Sequence, residues 1–302
     1  MKDKAASTLE RLKNQAKELD ITYQQCLQLF VQEELLRKIT KSEYANNFVL
    51  KGGYFIYTLT DFKSRTTIDV DFLLRHLPTT TESVQKIIED IIKIPTGNEY
   101  IKMTVKAFTE ISEQRKYKGV SMQIIAEIKR VRIPFSVDIG VDDVIVPDVQ
   151  LNKVTTQLAD FESPKIQTYS LESVIAEKLD AILRRFELTS RMKDFYDIYY
   201  IAQNFDFQGF ILQEALYETF CHRKTDYNNT SFLRICALVN DESIKKRWKN
   251  FLIKMPGIDI DFTVVIDGIQ NFLEPIFNAI VDGKRFFMSW DKKESKWKEE
   301  DK

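Results

Sequence analysis

Apolar positions recur along this chain with spacings that divide it into three parts. Over residues 1–45 they follow a helical spacing, clearest in YQQCLQLFVQEELLRKI, which predicts N-terminal helices. From residue 46 to about 150 the segments EYIKMTVKAFTEI and GVSMQIIAEIKRVRIPFSVDIGV predict strands, and the polar SEQRKYKG between them predicts a hairpin loop. After FESPKIQTYS the helical spacing returns and continues to about Ala279.

This pattern predicts an α+β fold in two domains. The first, residues 1–155, combines the N-terminal helices with a sheet, and the second, residues 156–302, is helical. The final DKKESKWKEEDK is of mixed charge and is predicted to be a solvated tail.

Composition excludes several classes of protein. Hydrophobic residues make up 44 % of the 302 residues, which is ample for real cores, and the net charge of −1 means that any surface for nucleic acid must be local. Three widely spaced cysteines fit free thiols in a reducing compartment, and two histidines leave little for a zinc site. We find no apolar run long enough for a bilayer and no signal-peptide core, so we expect a cytoplasmic protein without a membrane partner.

The segment RTTIDVDF places two acids inside a predicted strand. Strand alternation turns Ile68, Val70 and Phe72 toward the core and leaves Asp69 and Asp71 together on the opposite face. Two like charges repel unless a cation lies between them, and a hard divalent ion such as Mg²⁺ suits carboxylate oxygens. Taken alone, an Asp-x-Asp pattern favours an ordinary solvated strand face.

The upstream segment NNFVLKGGYFIYTL predicts a short strand, a turn at Gly52 and Gly53, and a helix. A helix N-terminus that follows glycines offers backbone N–H groups to an anion and lets a phosphate approach closely. The alternative is an ordinary strand-to-helix turn. The chain has no G-x-x-x-x-G-K-[ST] motif, so this is not a P-loop.

A third acid follows the same alternation. In VRIPFSVDIGV, Asp138 shares the face opposite the core with Arg132 and Ser136. From a neighbouring strand it could join the acid pair, and three carboxylates on one face are what a two-metal phosphoryl-transfer site needs. The alternative is a surface aspartate, and nearby Asp142 and Asp143 compete for the role.

The helical part holds two charged residues at packing positions. In SLESVIAEKLDAILRRF, Lys178 lies one heptad after Leu171, within the apolar stripe, and Arg185 lies one heptad further. A bound triphosphate would neutralise Lys178; equally, its ammonium could extend past the apolar surface to water. Asp194 of RMKDFYDIYYIA also faces a packing interface. It could pair with Lys178 or contact metal or ribose. Alternatively, it is simply an acid in the first helical turn, where the helix dipole favours negative charge.

Together these segments resemble the AbiEii/AbiGii toxin family of nucleotidyltransferases from bacterial abortive-infection toxin–antitoxin systems. The resemblance rests on FVLKGGYFIYTL followed by RTTIDVDF, then VDIG, LESVIAEKLDAILRR and RMKDFYDIYYI, and it extends to about Ala202. It implies a mixed-sheet domain of the DNA polymerase β-type minimal nucleotidyltransferase fold. It also implies transfer of a nucleoside monophosphate from a nucleoside triphosphate to an acceptor hydroxyl, with release of pyrophosphate and a role in phage defence.

The resemblance also assigns residues and partners. Gly52 and Gly53 would hold phosphates, and Lys178 would grip the triphosphate. Two Mg²⁺ ions, with Mn²⁺ as an alternative, would be held by Asp69, Asp71 and Asp138. Asp194 would be the polar residue of the last motif. Further nucleotide-binding candidates are Arg65, Thr66 and Arg185. The implied acceptor is RNA, such as a tRNA 3′ end, or else a protein hydroxyl, and the implied partner is a cognate antitoxin, often a DNA-binding regulator.

The chain departs from the family pattern in one respect, since Tyr54 stands where many members have a small hydroxyl residue.

We expect the three acids to face Lys178 and Asp194 across a cleft between the domains. The segment SIKKRWKNFLIK could bind a phosphate backbone and stack a base on Trp248, although a solvated helix face is favoured; RKYKG is a weaker candidate. A metal-dependent phosphodiesterase and a non-catalytic nucleotide- or partner-binding module remain alternatives.

Overall fold

The computed structural model describes residues 3–65, 67, 69–111, 119–255 and 257–299. The chain forms two compact units. Unit 1 comprises Met1–Asp143 and Val149–Tyr169, and unit 2 comprises Val144–Asp148 and Ser170–Lys302. The boundary that we expected after residue 155 therefore falls inside unit 1.

Unit 1 is built on a seven-stranded sheet, whose strands are β1 (Phe48–Lys51), β2 (Asp69–Leu74), β3 (Ile101–Ile111), β4 (Gly119–Ile128), β5 (Val131–Val141), β6 (Gln150–Lys153) and β7 (Lys165–Thr168). Their order is β3–β4–β5–β2–β1–β7–β6. β2 pairs with β5 and β1 with β7 in parallel, and the other neighbours are antiparallel. The sheet is therefore mixed, as the resemblance implied.

The predicted alternation is clearest in β5. Ile133, Phe135, Val137 and Ile139 are buried, whereas Asp138 on the other face is half-buried. A tight turn with a left-handed residue, Lys129, divides the long strand-like run into β4 and β5. The loop predicted at SEQRKYKG falls mostly on residues 112–118, outside the described residues.

Four helices belong to unit 1: α1 (Lys4–Glu18), α2 (Tyr23–Lys41), α3 (Gly52–Leu59) and α4 (Thr81–Ile91). A capping box of Thr22 and Gln25 starts α2. This helix packs on β5, where the Gln28 side chain donates to the Pro134 carbonyl at 2.8 Å. It is buried on nearly all sides, because even its charged residues Glu33, Glu34 and Arg37 are enclosed.

Unit 2 is mainly helical. Its helices are α5 (Leu171–Leu183), α6 (Met192–Asn204), α7 (Gly209–Arg223), α8 (Ser231–Ala237), α9 (Glu242–Ile253) and α10 (Phe262–Val281). The short segment Val144–Asp148 joins this unit because the Ser170 hydroxyl donates to the Val146 carbonyl at 2.7 Å, and the Val146 N–H donates to Ser173 Oγ at 2.8 Å.

The prediction of a solvated tail from Asp291 onward is wrong for residues 291–299, which belong to a folded segment of residues 288–299. They form a hairpin of β9 (Met288–Asp291) and β10 (Lys296–Glu299), which extends a small antiparallel sheet from β8 (Phe207–Gln208). Trp290 is 1 % exposed, and its indole N–H donates to the Ala202 carbonyl at 2.7 Å. Trp297 stacks on Phe272 with 5.8 Å between ring centroids. The lysines dominate the composition of this segment, but its two tryptophans decide its packing.

Helix α10 is the exception to our expectation about apolar runs. Within the described residues it is the one helix whose length and composition would suffice to cross a membrane. Its apolar side chains, including Ile269, Phe272 and Phe277, are buried in unit 2. A core helix meets the same criterion, so the length of α10 is weak evidence for a membrane segment.

Candidate functional site

Three carboxylates lie on one face of the unit 1 sheet. The parallel register of β2 and β5 places Asp69 opposite Ser136 and Asp71 opposite Asp138. Register partners in neighbouring strands share a face, which here is the face opposite the buried Val70 and Val137. We call the face that carries Asp69, Asp71 and Asp138 the acid face. All three residues are half-buried.

The glycine turn lies directly against this face. Gly52 has a φ of +69°, and a Cβ built on it would be 2.1 Å from Asp71 Oδ2. A Cβ on Gly53 would be 2.9 Å from Arg65 Nη2. At position 52 only glycine leaves room for the Asp71 carboxylate, and at position 53 any larger residue would displace the end of the Arg65 side chain. Three predicted parts of the site therefore lie together: the phosphate turn, Asp71 and Arg65. The Arg65 side chain is buried there.

Helix α3 begins at this turn. Its N-cap residue is Lys51, whose side chain makes no capping hydrogen bond. The first N–H groups of a helix lack intrahelical partners and attract anions. This end of α3 can therefore receive a phosphate group.

Tyr54 does not take the place of the small hydroxyl residue found in many family members. Its side chain is 1 % exposed, and its hydroxyl has no hydrogen-bond partner among the described residues. Burial raises the pKa of this phenol, and the charge of Glu33 raises it further. The hydroxyl therefore lies in the interior rather than at the phosphate turn.

Lys51 was missed from the sequence. It lies opposite Asp71 in the β1–β2 register. Its ammonium donates to Asp143 Oδ2 at 2.8 Å and to the Tyr169 hydroxyl at 3.4 Å. The only signal in the sequence is that FVLK ends on a charged residue, and a four-residue strand is too short to show alternation. Asp143, which we considered only as a competitor of Asp138, is the counter-ion of this lysine.

The acid face suits a magnesium ion whose coordination is completed by the phosphates of a bound nucleotide. Among the described residues, no group of three Asp, Glu, His or Cys side chains could hold a metal ion by itself. Mg²⁺ usually binds one or two carboxylates and completes its coordination with water and substrate phosphates. Asp71 and Asp138 are adjacent oxygen donors, and the phosphate turn lies against Asp71. The donor set therefore suits Mg²⁺ but does not form a complete protein cage.

In unit 2 the buried lysine is paired. Lys178 on α5 is 8 % exposed, and its ammonium donates to Asp194 Oδ1 at 3.2 Å and to Asp197 Oδ2 at 2.6 Å. The interpretation that it extends to water is wrong, because two carboxylates of α6 hold it inside. The predicted pairing of Asp194 with Lys178 is confirmed, and Arg191 also donates to Asp194. Whether Lys178 contacts a triphosphate stays a prediction.

The charges around Asp194 determine its protonation. Burial by itself raises the pKa of Asp194, but the positive charges of Lys178 and Arg191 outweigh burial and hold the pKa below its ordinary value. Asp194 is therefore ionised at neutral pH and is a fixed negative partner of both cations.

The other predicted residues have varied outcomes. Arg185 is half-buried in the turn after α5, next to a 3-10 helix at Phe186–Leu188. Thr66 and most of the RKYKG segment lie outside the described residues. Trp248 is 2 % exposed and its indole donates to the Ile260 carbonyl at 2.9 Å, so the idea that it stacks a base is wrong. The cleft between the domains stays a prediction.

The chain was compared with protein-family models and with solved structures. A family model described as the nucleotidyl transferase AbiEii toxin of type IV toxin–antitoxin systems matches residues 34–282. The chain is 14 % identical to a crystal structure of a candidate nucleotidyltransferase from H. pylori, over 86 % of this chain and 99 % of the other, with a TM-score of 0.48. For JHP933 from Helicobacter pylori the identity is 16 %, over 83 % and 95 %, with a TM-score of 0.45.

A search of curated proteins finds no match. The match to the family model nevertheless covers most of the chain and contains the glycine turn, the acid face and the ion pairs of Lys178. The chain therefore belongs to the AbiEii family of nucleotidyltransferase toxins of type IV toxin–antitoxin systems.

Proposed function

We propose that this toxin transfers a nucleoside monophosphate from a nucleoside triphosphate to a hydroxyl of an RNA acceptor, such as a tRNA 3′ end, in a Mg²⁺-dependent reaction that releases pyrophosphate. The observation that carries the proposal is the contact between Gly52 and the Asp71 carboxylate, with Asp138 next to Asp71 in the register. A phosphate turn and adjacent acids are the two parts that nucleotidyl transfer requires.

Each part of the site has a separate task in this proposal. The N-terminus of α3 at Gly52 and Gly53 binds phosphate oxygens through backbone N–H groups, and the Arg65 guanidinium beside Gly53 adds positive charge. Asp69, Asp71 and Asp138 would hold Mg²⁺. When bound, Mg²⁺ would stabilise the charge on the phosphates and lower the pKa of the acceptor hydroxyl. The protein contributes mainly positioning and neutralisation of charge.

Lys178 has a more restricted task than the sequence implied. Its ammonium already has two carboxylate partners. The ammonium can contact a triphosphate only if it shares or releases these carboxylates. We therefore propose that Lys178 changes partners when a nucleotide binds.

Incubation with labelled nucleoside triphosphates and total RNA tests the proposal. We expect label to be transferred to RNA in the presence of Mg²⁺, and we expect Asp71→Asn to abolish the transfer by removing one ligand charge. Asp138→Asn should act in the same way. The matched control is Asp142→Asn, because Asp142 is exposed, lies just beyond β5 and has a φ of 66° that asparagine tolerates.

The other outcomes separate the alternatives. Shortening of RNA without added nucleotide would indicate a phosphodiesterase. Nucleotide binding with neither label transfer nor shortening would indicate a binding module. Loss of transfer in Asp142→Asn but not in Asp138→Asn would contradict the assignment of the third acid.

The family implies a cognate antitoxin as a partner. We propose further that the toxin acts in the cytoplasm during abortive infection, where its triphosphate and RNA substrates are present. Growth arrest on expression of the wild type, but not of Asp71→Asn, would support this setting.

A further inference from the structure

The Lys51 side chain lies on the acid face and crosses strand β2. Lys51 ends β1, and β2 lies between β1 and β5. Nevertheless, a Cβ built on Gly140 of β5 would be 3.6 Å from Lys51 Nζ. The lysine therefore spans one whole strand, and its ammonium lies in van der Waals range of the Gly140 position on β5.

This ammonium is held in a fixed place. Asp143 accepts its hydrogen bond at 2.8 Å, and it lies 5.0 Å from the centre of the Tyr169 ring. The side chains of Lys51 and Asp143 are only 13 % and 6 % exposed. An ion pair buried to this extent adds little stability over an apolar pair of similar size, because its desolvation offsets the attraction. Stability alone therefore does not account for its position.

The ammonium lies close enough to the acids to affect them. Gly140 follows Asp138 by two residues on the same strand face, which is about 7 Å along β5. A positive charge at this distance offsets the repulsion between the carboxylates and opposes the entry of a second cation.

We propose that the Lys51–Asp143 ion pair sets the divalent-cation affinity of the acid face, with Lys51 as a positioning residue and Asp143 as its counter-ion. This inference rests on the proposed function, because it concerns the same metal ligands. With the lysine charge present, the acid face binds a divalent ion weakly by itself and strongly only when a triphosphate adds negative charge. The ion pair thus couples cation binding to nucleotide binding.

Titration with Mn²⁺ at low salt and without nucleotide, followed by the electron paramagnetic resonance of free Mn²⁺, tests the inference on the full chain. We expect Lys51→Met to bind Mn²⁺ about sevenfold more tightly, which is the factor that Coulomb's law gives for a double and a single charge about 7 Å apart at the dielectric constant of water. Asp143→Asn should weaken binding, because it removes one negative charge beside the lysine.

The matched control is Lys38→Met, which also removes a buried lysine charge from unit 1. Lys38 lies on α2 and is 6 % exposed, and its ammonium donates to the Ile94 carbonyl, just after α4, at 2.6 Å. We expect the Mn²⁺ affinity of this variant to match the wild type. Asp71→Asn should remove the binding, which locates it at the acid face.

Two results would overturn the inference in different ways. If folded Lys51→Met and Asp143→Asn both bound Mn²⁺ like the wild type, the ion pair would have no electrostatic role, although the proposed function would stand. If the wild type bound no Mn²⁺ at the acid face even after a nucleoside triphosphate was added, the metal-dependent function itself would fail. If Lys51→Met does not fold, the Mn²⁺ affinity of Asp143→Asn decides the question, because asparagine has nearly the same shape as aspartate.

Discussion

At the scale of single residues, Gly52 combines two requirements. Its φ of +69° is costly for other residues, and a Cβ would overlap the Asp71 carboxylate. We expect Gly52→Ala to lower the free energy of unfolding by more than the roughly 1–2 kcal/mol of the backbone conformation alone, and to abolish transfer. Gly97→Ala is the control, because Gly97 has a φ of +88° and no atom within 4 Å of its Cβ position. Equal losses in urea unfolding would contradict the close contact with Asp71.

Glu33 gives the stability of the protein a specific pH dependence. Glu33 and Glu34 are buried and share one guanidinium, that of Arg37. Burial raises the pKa of Glu33 from 4.5 to about 8. Between these values the folded state keeps a proton that the unfolded state releases. The folding equilibrium constant should therefore fall as the pH rises through this window, by at most about tenfold per pH unit.

The variant Glu33→Gln tests this dependence. Its amide cannot ionise, so the slope of stability against pH between about 4.5 and about 8 should become flatter than in the wild type. Glu10→Gln, which changes an exposed residue, should leave the slope unchanged. An unchanged slope in Glu33→Gln would show that this carboxyl is ionised throughout.

At the scale of elements, the Lys178 ion pairs join α5 to α6. Lys178→Met would leave the buried Asp194 and Asp197 carboxylates without this ammonium. We expect the free energy of unfolding to fall by about 3–5 kcal/mol, measured by chemical denaturation, because removing one partner of a buried ion pair leaves negative charge buried with less positive charge around it. The double variant Lys178→Met with Asp197→Asn should recover part of the loss. Lys284→Met, which breaks the exposed pair with Asp282, should be close to neutral.

Nucleotide affinity separates a structural role of Lys178 from a phosphate-binding role. If the lysine contacts the triphosphate, affinity measured by calorimetry on folded Lys178→Met should fall by roughly one to two orders of magnitude. Unchanged affinity in a folded variant would leave Lys178 with a structural role only.

At the scale of the whole molecule, the unit 1 sheet is completed late in the chain. β7 pairs with β1 through Leu50 and Thr168, and Tyr169 contacts Lys51. We expect a fragment of residues 1–169 to unfold cooperatively in thermal circular dichroism. A fragment of residues 1–155 should be less stable and prone to aggregation, because it leaves the edge of β1 unpaired. Equal stability of the two fragments would contradict the role of β7.

Local patterns in the sequence determined which residues form strands and which faces they present. Alternation has a period of two that follows from backbone geometry, so it placed Asp69, Asp71 and Asp138 away from the core without knowledge of the fold. The helical spacing likewise identified Lys178 as an interface residue. The hairpin at residues 288–299 was missed, because charged residues obscured the two tryptophans that anchor it.

Only the tertiary structure decided which of these residues are neighbours. The placement of β2 beside β5 brings Asp71 next to Asp138, and the burial of α5 against α6 gives Lys178 two carboxylates. The reach of Lys51 across β2 to Asp143 depends on the strand order. Strand order and helix packing are set by the burial of apolar surface from distant parts of the chain, and no local spacing records them.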